Sequence, residues 1–257
     1  MLYPRIIPCL LLKDRGLVKT VRFSEGKYVG DPLNAVRIFN EKEVDELMFI
    51  DIDATRYGRE PDYALIEHIA AECNMPLCYG GGVKTADQAR RLLGLGVEKV
   101  ALSSAIVEHP GLIGEIAAQI GSQSVVAVLD FRKKGLLASR YEIYTHNGTQ
   151  PFRGDPWQLI REFESRGIGE LVVNSIDNDG LMKGYDLTLV EKVRACVSVP
   201  VTVLGGAGSS EDISGLIRQY PIIGAAAGSL FVFKGPYKAV LINYPDKEQK
   251  QKWIIGR

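Results

Sequence analysis

Eight short apolar segments, separated by stretches of helical periodicity, constrain the fold of this chain more than any other feature. The segments begin near residues 5, 46, 76, 99, 125, 170, 200 and 222. Several are continuous runs of Val, Ile, Leu and Ala, which is typical of parallel strands that are buried on both faces. Eight consecutive strand–helix units predict a parallel sheet that closes into a (β/α)8 barrel, with its active site at the carboxyl ends of the strands.

The spacing of the segments also indicates an internal repeat. Their starting points are 41, 30 and 23 residues apart in the first half of the chain, and 45, 30 and 22 apart in the second. The turn at 80–87 matches the turn at 205–212 with an offset of 125 residues, and 102–104 matches 227–229 with the same offset. The sequence therefore predicts an α/β fold, a single TIM barrel built from two half-barrels.

We expect one domain over residues 1–257, with half-barrels at about 1–120 and 121–240. A short hairpin excursion is predicted at about 133–148, because this segment is longer than a simple βα turn and alternates in hydropathy before Asn147-Gly148. Pro-, Gly- or Ser-rich linkers do not divide the chain.

The charge balance argues against a polyanionic partner. The 257 residues contain 31 Lys and Arg and 31 Asp and Glu, so the formal net charge is zero, and we expect no nucleic acid and no membrane as partner. The longest nearly apolar run, 221–233, has 13 residues, whereas a membrane-spanning helix needs about 20. A cleavable leader is not evident, and the four cysteines form no C-x-x-C pair, so we expect reduced thiols and a cytoplasmic protein.

Two glycine-rich turns, at 80–82 and 205–208, each follow a predicted strand and open a predicted helix. Backbone N–H groups of such turns bind phosphate well, although the glycines can also serve only to make the turns tight. A hydroxyl-bearing turn ends the neighbouring strand in each half. The predicted phosphate-binding residues are Gly82, Ser103 and Ser104 in the first half, and Gly206, Gly208, Gly228 and Ser229 in the second. Two such sites across the barrel mouth would suit one elongated ligand with a phosphate at each end.

Five aspartates fall at or just after the predicted carboxyl ends of strands: Asp51, Asp53, Asp130, Asp177 and Asp179. A carboxylate at this edge of a barrel can exchange protons with a bound ligand. Asp53 and Asp177 can instead cap the turns that follow them. Asp130 is the strongest candidate for catalysis, but its counterpart in the half-barrel repeat, at the end of the first strand, is not an acid.

The sequence predicts neither a metal site nor a cofactor. Its three histidines, His68, His109 and His146, do not form a cluster with metal-ligand spacing. The chain has no G-x-S-x-G motif, and its glycine-rich turns lack the G-x-G-x-x-G spacing of dinucleotide sites.

Motifs distributed from residue 1 to about 235 carry a family resemblance. They are RIIPCL at 5–10, GDP at 30–32, DELMFIDID at 45–53, GGG at 80–82, GSQ at 121–123, SIDNDG at 175–180, GYD at 184–186 and GGAG at 205–208. Together they resemble the cyclase subunit of imidazole glycerol phosphate synthase (HisF). This resemblance implies a barrel that receives ammonia from a HisH-like glutaminase on its N-terminal face and binds a bisphosphorylated ribonucleotide, a phosphorylated small molecule, at the other face. It also adds Lys19, Asp179 and Gly180 to the expected ligand-binding residues.

One departure from the family affects catalysis. The family's acid/base pair consists of an aspartate that ends the first strand and another that ends the fifth. The second matches Asp130, but the first falls on Leu11. A leucine cannot exchange a proton, and the loss of one acid/base group typically lowers a rate by about 10²- to 10⁴-fold.

The opposite face of the barrel keeps the family pattern. The family's ammonia gate is a ring of two bases and two acids, and it falls on Arg5, Glu46, Lys99 and Glu170. A salt-bridged plug of the barrel would account for the same four residues without a gate. The acid that contacts the glutaminase in the family falls on Glu98, in place of aspartate.

An intact floor, an altered mouth and the segment PCLLLK at 8–13 are together similar to a HisF-like branch found with surface-polysaccharide genes. The resemblance implies a heterodimer with the glutaminase. It also implies a relay of ammonia to a third enzyme, which amidates a nucleotide-linked sugar in lipopolysaccharide (O-antigen) synthesis. Two alternatives stay open: a working cyclase of histidine biosynthesis that recruits another acid, and a non-catalytic scaffold.

Overall fold

A closed parallel sheet forms the centre of the protein, whose computed structural model describes residues 3–135 and 140–255. Each strand pairs in parallel with the next, and the last pairs with the first, so that the sheet closes. The predicted (β/α)8 barrel is therefore confirmed. The strands are β1 (Arg5–Lys13), β2 (Leu47–Asp51), β3 (Leu77–Gly80), β4 (Lys99–Leu102), β5 (Val125–Lys134), β6 (Glu170–Ser175), β7 (Val201–Leu204) and β8 (Gly224–Ala227).

Helices follow the strands and cover the outside of the barrel. Two of the helices begin at side-chain caps, since the side chains of Asp62 and Thr85 accept hydrogen bonds from backbone N–H groups in the first turn. Short helices at Ser104–Glu108 and Ser229–Val232 follow β4 and β8. The longer helices are α1 (Pro32–Glu41), α2 (Tyr63–Glu72), α3 (Ala86–Gly94), α4 (Gly111–Ile120), α5 (Pro156–Ser165), α6 (Leu187–Arg194), α7 (Ser210–Gln219) and α8 (Lys247–Ile255).

Two antiparallel hairpins extend from the carboxyl ends of barrel strands. Strand β5 continues past the barrel and pairs with Arg140–Thr145, within the segment where the sequence predicts an excursion. Residues 136–139 of that segment lie outside the described residues. Strand β1 likewise pairs with Gly16–Lys19, which pairs in turn with Lys27–Gly30. Both hairpins therefore bring loop residues to the barrel mouth.

Strand periodicity divides the barrel interior into layers. Since successive side chains of a strand point to opposite faces, every second residue of a barrel strand enters the interior. The buried interior cluster is apolar and consists of Ile7, Cys9, Met48, Cys78, Ala101, Val126, Val128, Val172, Leu204 and Ala226. Charged residues with the same inward phase lie at the two ends, as Glu170 precedes Val172 and Asp130 follows Val128. An apolar layer thus separates a charged floor from a polar mouth.

Among the helices of residues 3–135 and 140–255, none combines the length and apolar character needed to cross a membrane.

The capping box at the start of α3 supports the glycine-rich turn before it. Thr85 accepts from the N–H of Gln88, and the Gln88 side chain accepts from the N–H of Thr85. We expect Thr85→Ala to lower the free energy of unfolding by about 1 kcal/mol, because the helix loses its N-cap hydrogen bond. Chemical denaturation measures this change. The exposed Gln119→Ala on α4 should be close to neutral, and equal stability of both variants would show that this cap contributes nothing.

Candidate functional site

The mouth of the barrel contains a cavity of about 970 Å³, part of which is open to solvent. Eight of the candidate site residues from the sequence line it together: Leu11, Lys19, Asp51, Gly82, Ser103, Ser104, Asp130 and Asp179. A smaller adjoining cavity of about 220 Å³ is lined by Gly180, Gly206, Gly228 and Ser229, and Lys19 and Asp179 belong to both linings. The structure therefore places the predicted ligand residues of both half-barrels around one mouth.

Lys19 supplies the positive charge of the smaller cavity. The strand Gly16–Lys19 carries it over the mouth, where it is buried and its Nζ lies 3.5 Å from Oδ1 of Asp179. Thr20 Oγ1 donates to the other oxygen of Asp179 over 3.1 Å. A Cβ at position 228 would lie only 2.7 Å from Lys19 Nζ, so glycine is needed for this close approach. A buried ammonium beside glycine-rich turns is a favourable setting for a phosphate.

Gly208 lies outside both cavity linings. Its N–H donates to a carboxylate oxygen of Asp212 over 2.8 Å, as part of the cap that begins α7. The glycine is nevertheless required there, because a Cβ at this position would lie 2.4 Å from the carbonyl oxygen of Met182.

The first-half site is closed on one side by the hairpin that follows β5. The N–H of His146 donates to Ser104 Oγ over 3.0 Å, and the N–H of Gly82 donates to Thr55 Oγ1 over 3.4 Å. Ser103 begins the short helix Ser104–Glu108, and its side chain makes no capping hydrogen bond. The first N–H groups of that helix are consequently not occupied by a side-chain cap and point to the region where the sequence predicts a phosphate.

Asp130 has the properties of an acid/base group. It sits at the level where β5 leaves the barrel, opposite Asn174 of β6 in the sheet register, and Asn174 Nδ2 donates to its Oδ1 over 2.9 Å. Burial raises the pKa of Asp130 to about 7, although the Asn174 hydrogen bond lowers it and the charge of Asp179 raises it further. A carboxyl group with this pKa exchanges its proton near neutral pH.

The two half-barrels differ at this level of the mouth. Leu11 of β1 is in register with Ile50 of β2, just as Asp130 of β5 is in register with Asn174 of β6. Strands β1 and β5 lie on opposite sides of an eight-stranded barrel, so an apolar wall faces a polar one. Another acid in the cavity lining is Asp51, whose Oδ1 accepts from two backbone N–H groups and whose pKa is raised by burial.

Four charged side chains close the floor of the barrel. Lys99 Nζ bridges the carboxylates of Glu46 and Glu170 at 2.7 and 2.9 Å, and Arg5 makes ion pairs with the same two carboxylates, at 2.7 Å to Glu170. Burial disfavours ionisation of Glu170, but its partners Arg5 and Lys99 outweigh that cost and lower its pKa. In return, the carboxylates raise the pKa of both bases against the effect of burial. Glu98 is exposed directly before β4, at this same face.

Five polar residues that line the mouth are not among the site residues predicted from the sequence: Thr20, Thr55, His146, Asn147 and Asn174. One feature of the sequence could have identified Asn174: it is a polar residue within the apolar run of β6 and points inward. Its side-chain oxygen Oδ1 is buried and has no hydrogen-bond partner in the described part of the chain. The hairpin after β5 brings His146 to the site; the sequence predicts a hairpin in this segment but not which of its residues face the mouth.

Within the described ranges 3–135 and 140–255, His, Cys, Asp and Glu side chains do not form a group of three or more that could hold a metal ion.

The fold and this mouth define a (β/α)8 barrel with a ligand cavity at its carboxyl face and a charged floor at its amino face. The chain belongs to the family described as "Histidine biosynthesis protein", which matches residues 5–237, and the predicted HisF membership is confirmed. Relatives from several bacteria are similar to this chain over nearly their whole length.

A relative from Vibrio vulnificus (strain YJ016), named "Putative imidazole glycerol phosphate synthase subunit hisF3", is 59% identical over 252 residues, 98% of this chain and 96% of the relative. The "Putative imidazole glycerol phosphate synthase subunit hisF2" of Pseudomonas aeruginosa is 52% identical over 246 residues, 96% of this chain and 97% of the relative. The "Imidazole glycerol phosphate synthase subunit HisF" of Halalkalibacterium halodurans is 39% identical over 234 residues, 91% of this chain and 92% of the relative.

The raised pKa of Asp130 predicts a pH-dependent stability. An acid whose pKa is raised by folding binds more protons in the folded chain than in the unfolded one, so its ionisation lowers stability between about pH 4 and about pH 7. Asp130→Asn removes the charge and can still accept from Asn174. We expect this variant to be more stable than the parent at pH 8 by on the order of 1 to 3 kcal/mol, and the difference to vanish at low pH. Urea denaturation across this range measures it, and a pH-independent difference would contradict the assignment.

Proposed function

We propose that this chain is the synthase-side subunit of a glutamine amidotransferase complex, and that it relays ammonia rather than carrying out cyclase chemistry. Ammonia from a HisH-like glutaminase would enter at the charged floor, cross the apolar interior and leave at the mouth. The final acceptor would be a nucleotide-linked sugar, amidated by a third enzyme in lipopolysaccharide synthesis. The protein would act in the cytoplasm, as a heterodimer with the glutaminase.

The single observation that carries the proposal is the unequal mouth. Asp130 retains the pKa and the position of an acid/base group, but the corresponding position on the opposite wall is Leu11. A cyclisation with two proton transfers needs protein groups that donate a proton to the substrate and accept one from it. An apolar wall can do neither.

The complete ring at the floor supports a role in ammonia transfer. Arg5, Glu46, Lys99 and Glu170 satisfy one another's charge, and above them the interior is apolar. An apolar passage admits neutral ammonia far more readily than ammonium, because a charge without a partner is costly to bury. Glu98 lies exposed at the same face and would contact the glutaminase.

The relatives are consistent with a branch that differs from the histidine-pathway enzyme. Four relatives at 52 to 59% identity have names that begin with "Putative", whereas two at 39% are named imidazole glycerol phosphate synthase subunit HisF without that word. The names of these relatives describe subunits, which agrees with a multi-subunit complex.

The phosphate-binding features of the mouth would hold a phosphorylated ligand. Lys19 beside Gly228, together with Gly180, Gly206 and Ser229, forms the stronger of the two half-sites, because it combines a buried ammonium with glycine-rich turns. Gly82, Ser103 and Ser104 form the other. Binding of such a ligand would signal to the complex that the mouth is occupied, or the two half-sites would be what is left of the cyclase's substrate site.

A working cyclase is the second candidate function, and one observation favours it. Asp51 lines the same cavity as Asp130, and burial raises its pKa above the ordinary value. It could replace the acid that Leu11 lacks. Its Oδ1 already accepts from the N–H groups of Asp53 and Ala54, so the second oxygen would have to do the chemistry.

We predict that the protein alone, supplied with ammonium salt and the bisphosphorylated ribonucleotide substrate of the cyclase, shows about 10²- to 10⁴-fold lower turnover than a HisF with both acids. Formation of imidazole glycerol phosphate measures this activity. Leu11→Asp should raise the rate if the phosphate sites are intact, although desolvation beside Ile50 will limit the gain.

Turnover by the parent protein equal to that of a complete HisF would reject the relay in favour of the cyclase. Asp51→Asn is the matched test of that alternative. It should abolish turnover if Asp51 is the recruited acid, and should leave any residual rate unchanged if it is not.

We predict that Lys99→Ala and Glu46→Ala leave binding of the glutaminase largely intact but uncouple glutamine hydrolysis from amidation of the acceptor. The reason is that each substitution opens the charged ring and exposes the interior to water. Transfer of glutamine-amide ¹⁵N to product, with free ammonia scavenged, measures the coupling. The exposed Lys42→Ala serves as the matched lysine control.

If both ring variants transfer glutamine nitrogen as efficiently as the parent, the four residues form only a structural plug. If the parent binds the glutaminase but transfers no nitrogen to any acceptor, the scaffold alternative is correct.

A further inference from the structure

The polar wall of the mouth contains a hydrogen-bond acceptor that nothing satisfies. Asn174 is 6% exposed, its Nδ2 is used on Asp130, and its Oδ1 has no partner among residues 3–135 and 140–255. A buried acceptor without a partner is destabilising. Because Asn174 lines the mouth cavity, an N–H or O–H donor bound there would satisfy it.

The position of this acceptor relates it to the barrel interior. Asp130 and Asn174 are each two residues beyond an interior valine of the same strand, Val128 and Val172, so they are the next inward side chains. On the opposite side of the barrel the same level holds Leu11 and Ile50. A small molecule that leaves the apolar interior thus meets a polar pair on one wall and hydrocarbon on the other.

We propose that Asn174 and Asp130 form a binding site for ammonium, in which Asn174 Oδ1 and the free oxygen of Asp130 accept two of its N–H bonds. This inference rests on the proposed ammonia relay. We call the pair of Asn174 and Asp130 the station, because ammonia would stop there on its way to the acceptor. Ammonium fits because it donates only, carries the charge that complements a carboxylate, and is small enough for a wall position between two strands. The apolar wall excludes competing water and strengthens the pairing.

The proton balance of the site is simple. Neutral ammonia that arrives from the interior takes the proton from the carboxyl group of Asp130, which leaves a carboxylate and an ammonium ion bound to it. The reverse transfer returns the proton to the carboxylate and releases ammonia toward the acceptor. A carboxyl group that titrates at about pH 7 can do both at neutral pH.

Other charged and titratable groups around the station bear on its pH dependence. Asp179, in the turn after β6, raises the pKa of Asp130, but its own charge is paired with Lys19. Cys9 on β1 has its pKa raised to about 12 by burial, so its thiol stays neutral. Asp51 lies on the other side of the same cavity.

The experiment follows the carboxyl carbon of Asp130 by ¹³C NMR in the full chain while ammonium chloride is added at constant ionic strength. Asp130→Asn identifies the signal. We expect a saturable shift and a lower apparent pKa, because bound ammonium favours the carboxylate. Tetramethylammonium chloride has no N–H and should cause neither change. Equal responses to both salts, or no response to ammonium, would overturn the proposal.

Asn174→Leu should abolish the ammonium response and raise the pKa of Asp130 above about 7, because the hydrogen bond that lowers it is lost. Asn174→Ala is the second variant if the leucine does not fit. Asn34→Leu, the same change at an exposed position of α1, is the matched control and should keep both the response and the pKa. An unchanged response in both Asn174 variants would assign ammonium binding elsewhere and reject this site.

Failure of this inference and failure of the relay can be distinguished. Absence of the ammonium response, with nitrogen transfer still dependent on Lys99 and Glu46, rejects the station and keeps the relay. A saturable ammonium response in a protein that transfers no glutamine nitrogen keeps the site and rejects the relay.

Discussion

Closure of the parallel sheet is the constraint on which the rest of this structure depends. Once eight strands pair in one register, the inward phase of each strand is fixed, and its inward side chains occupy successive levels of one narrow interior. Charges can then lie only where partners or solvent compensate for burial. The result is a ring of ion pairs at the floor, an apolar layer such as Val128 and Val172, and a polar mouth.

Floor and mouth show two outcomes of burying a carboxylate. At the floor, Glu170 is surrounded by Arg5 and Lys99, and attraction outweighs desolvation, so that its pKa falls. At the mouth, Asp130 has an amide neighbour instead of a cation, and desolvation dominates, so that its pKa rises to about 7. Burial of a carboxyl group therefore accompanies a lowered pKa for Glu170 at one end of the barrel and a raised pKa for Asp130 at the other.

The two half-barrels use one scaffold for different surfaces. Their glycine-rich turns correspond, but Leu11 and Ile50 stand where the other half has Asp130 and Asn174. This asymmetry removes an acid from one wall of the mouth, while the glycine-rich turns and the buried Lys19 that we propose hold a phosphate are present. It also leaves one wall suited to a small N–H donor, which is the basis of the proposed ammonium site.

The sequence by itself determined the class of fold, because eight buried strands and their connecting helices leave a periodic signal that local patterns carry. It likewise determined the caps at Asp62 and Thr85, which depend on residues only three positions apart. Tertiary structure alone decided the contact of Asn174 with Asp130 and of Lys19 with Asp179, which join residues 44 and 160 positions apart. Such pairs depend on sheet register and on where hairpins fold, and neither property can be predicted from the local hydropathy pattern of a strand.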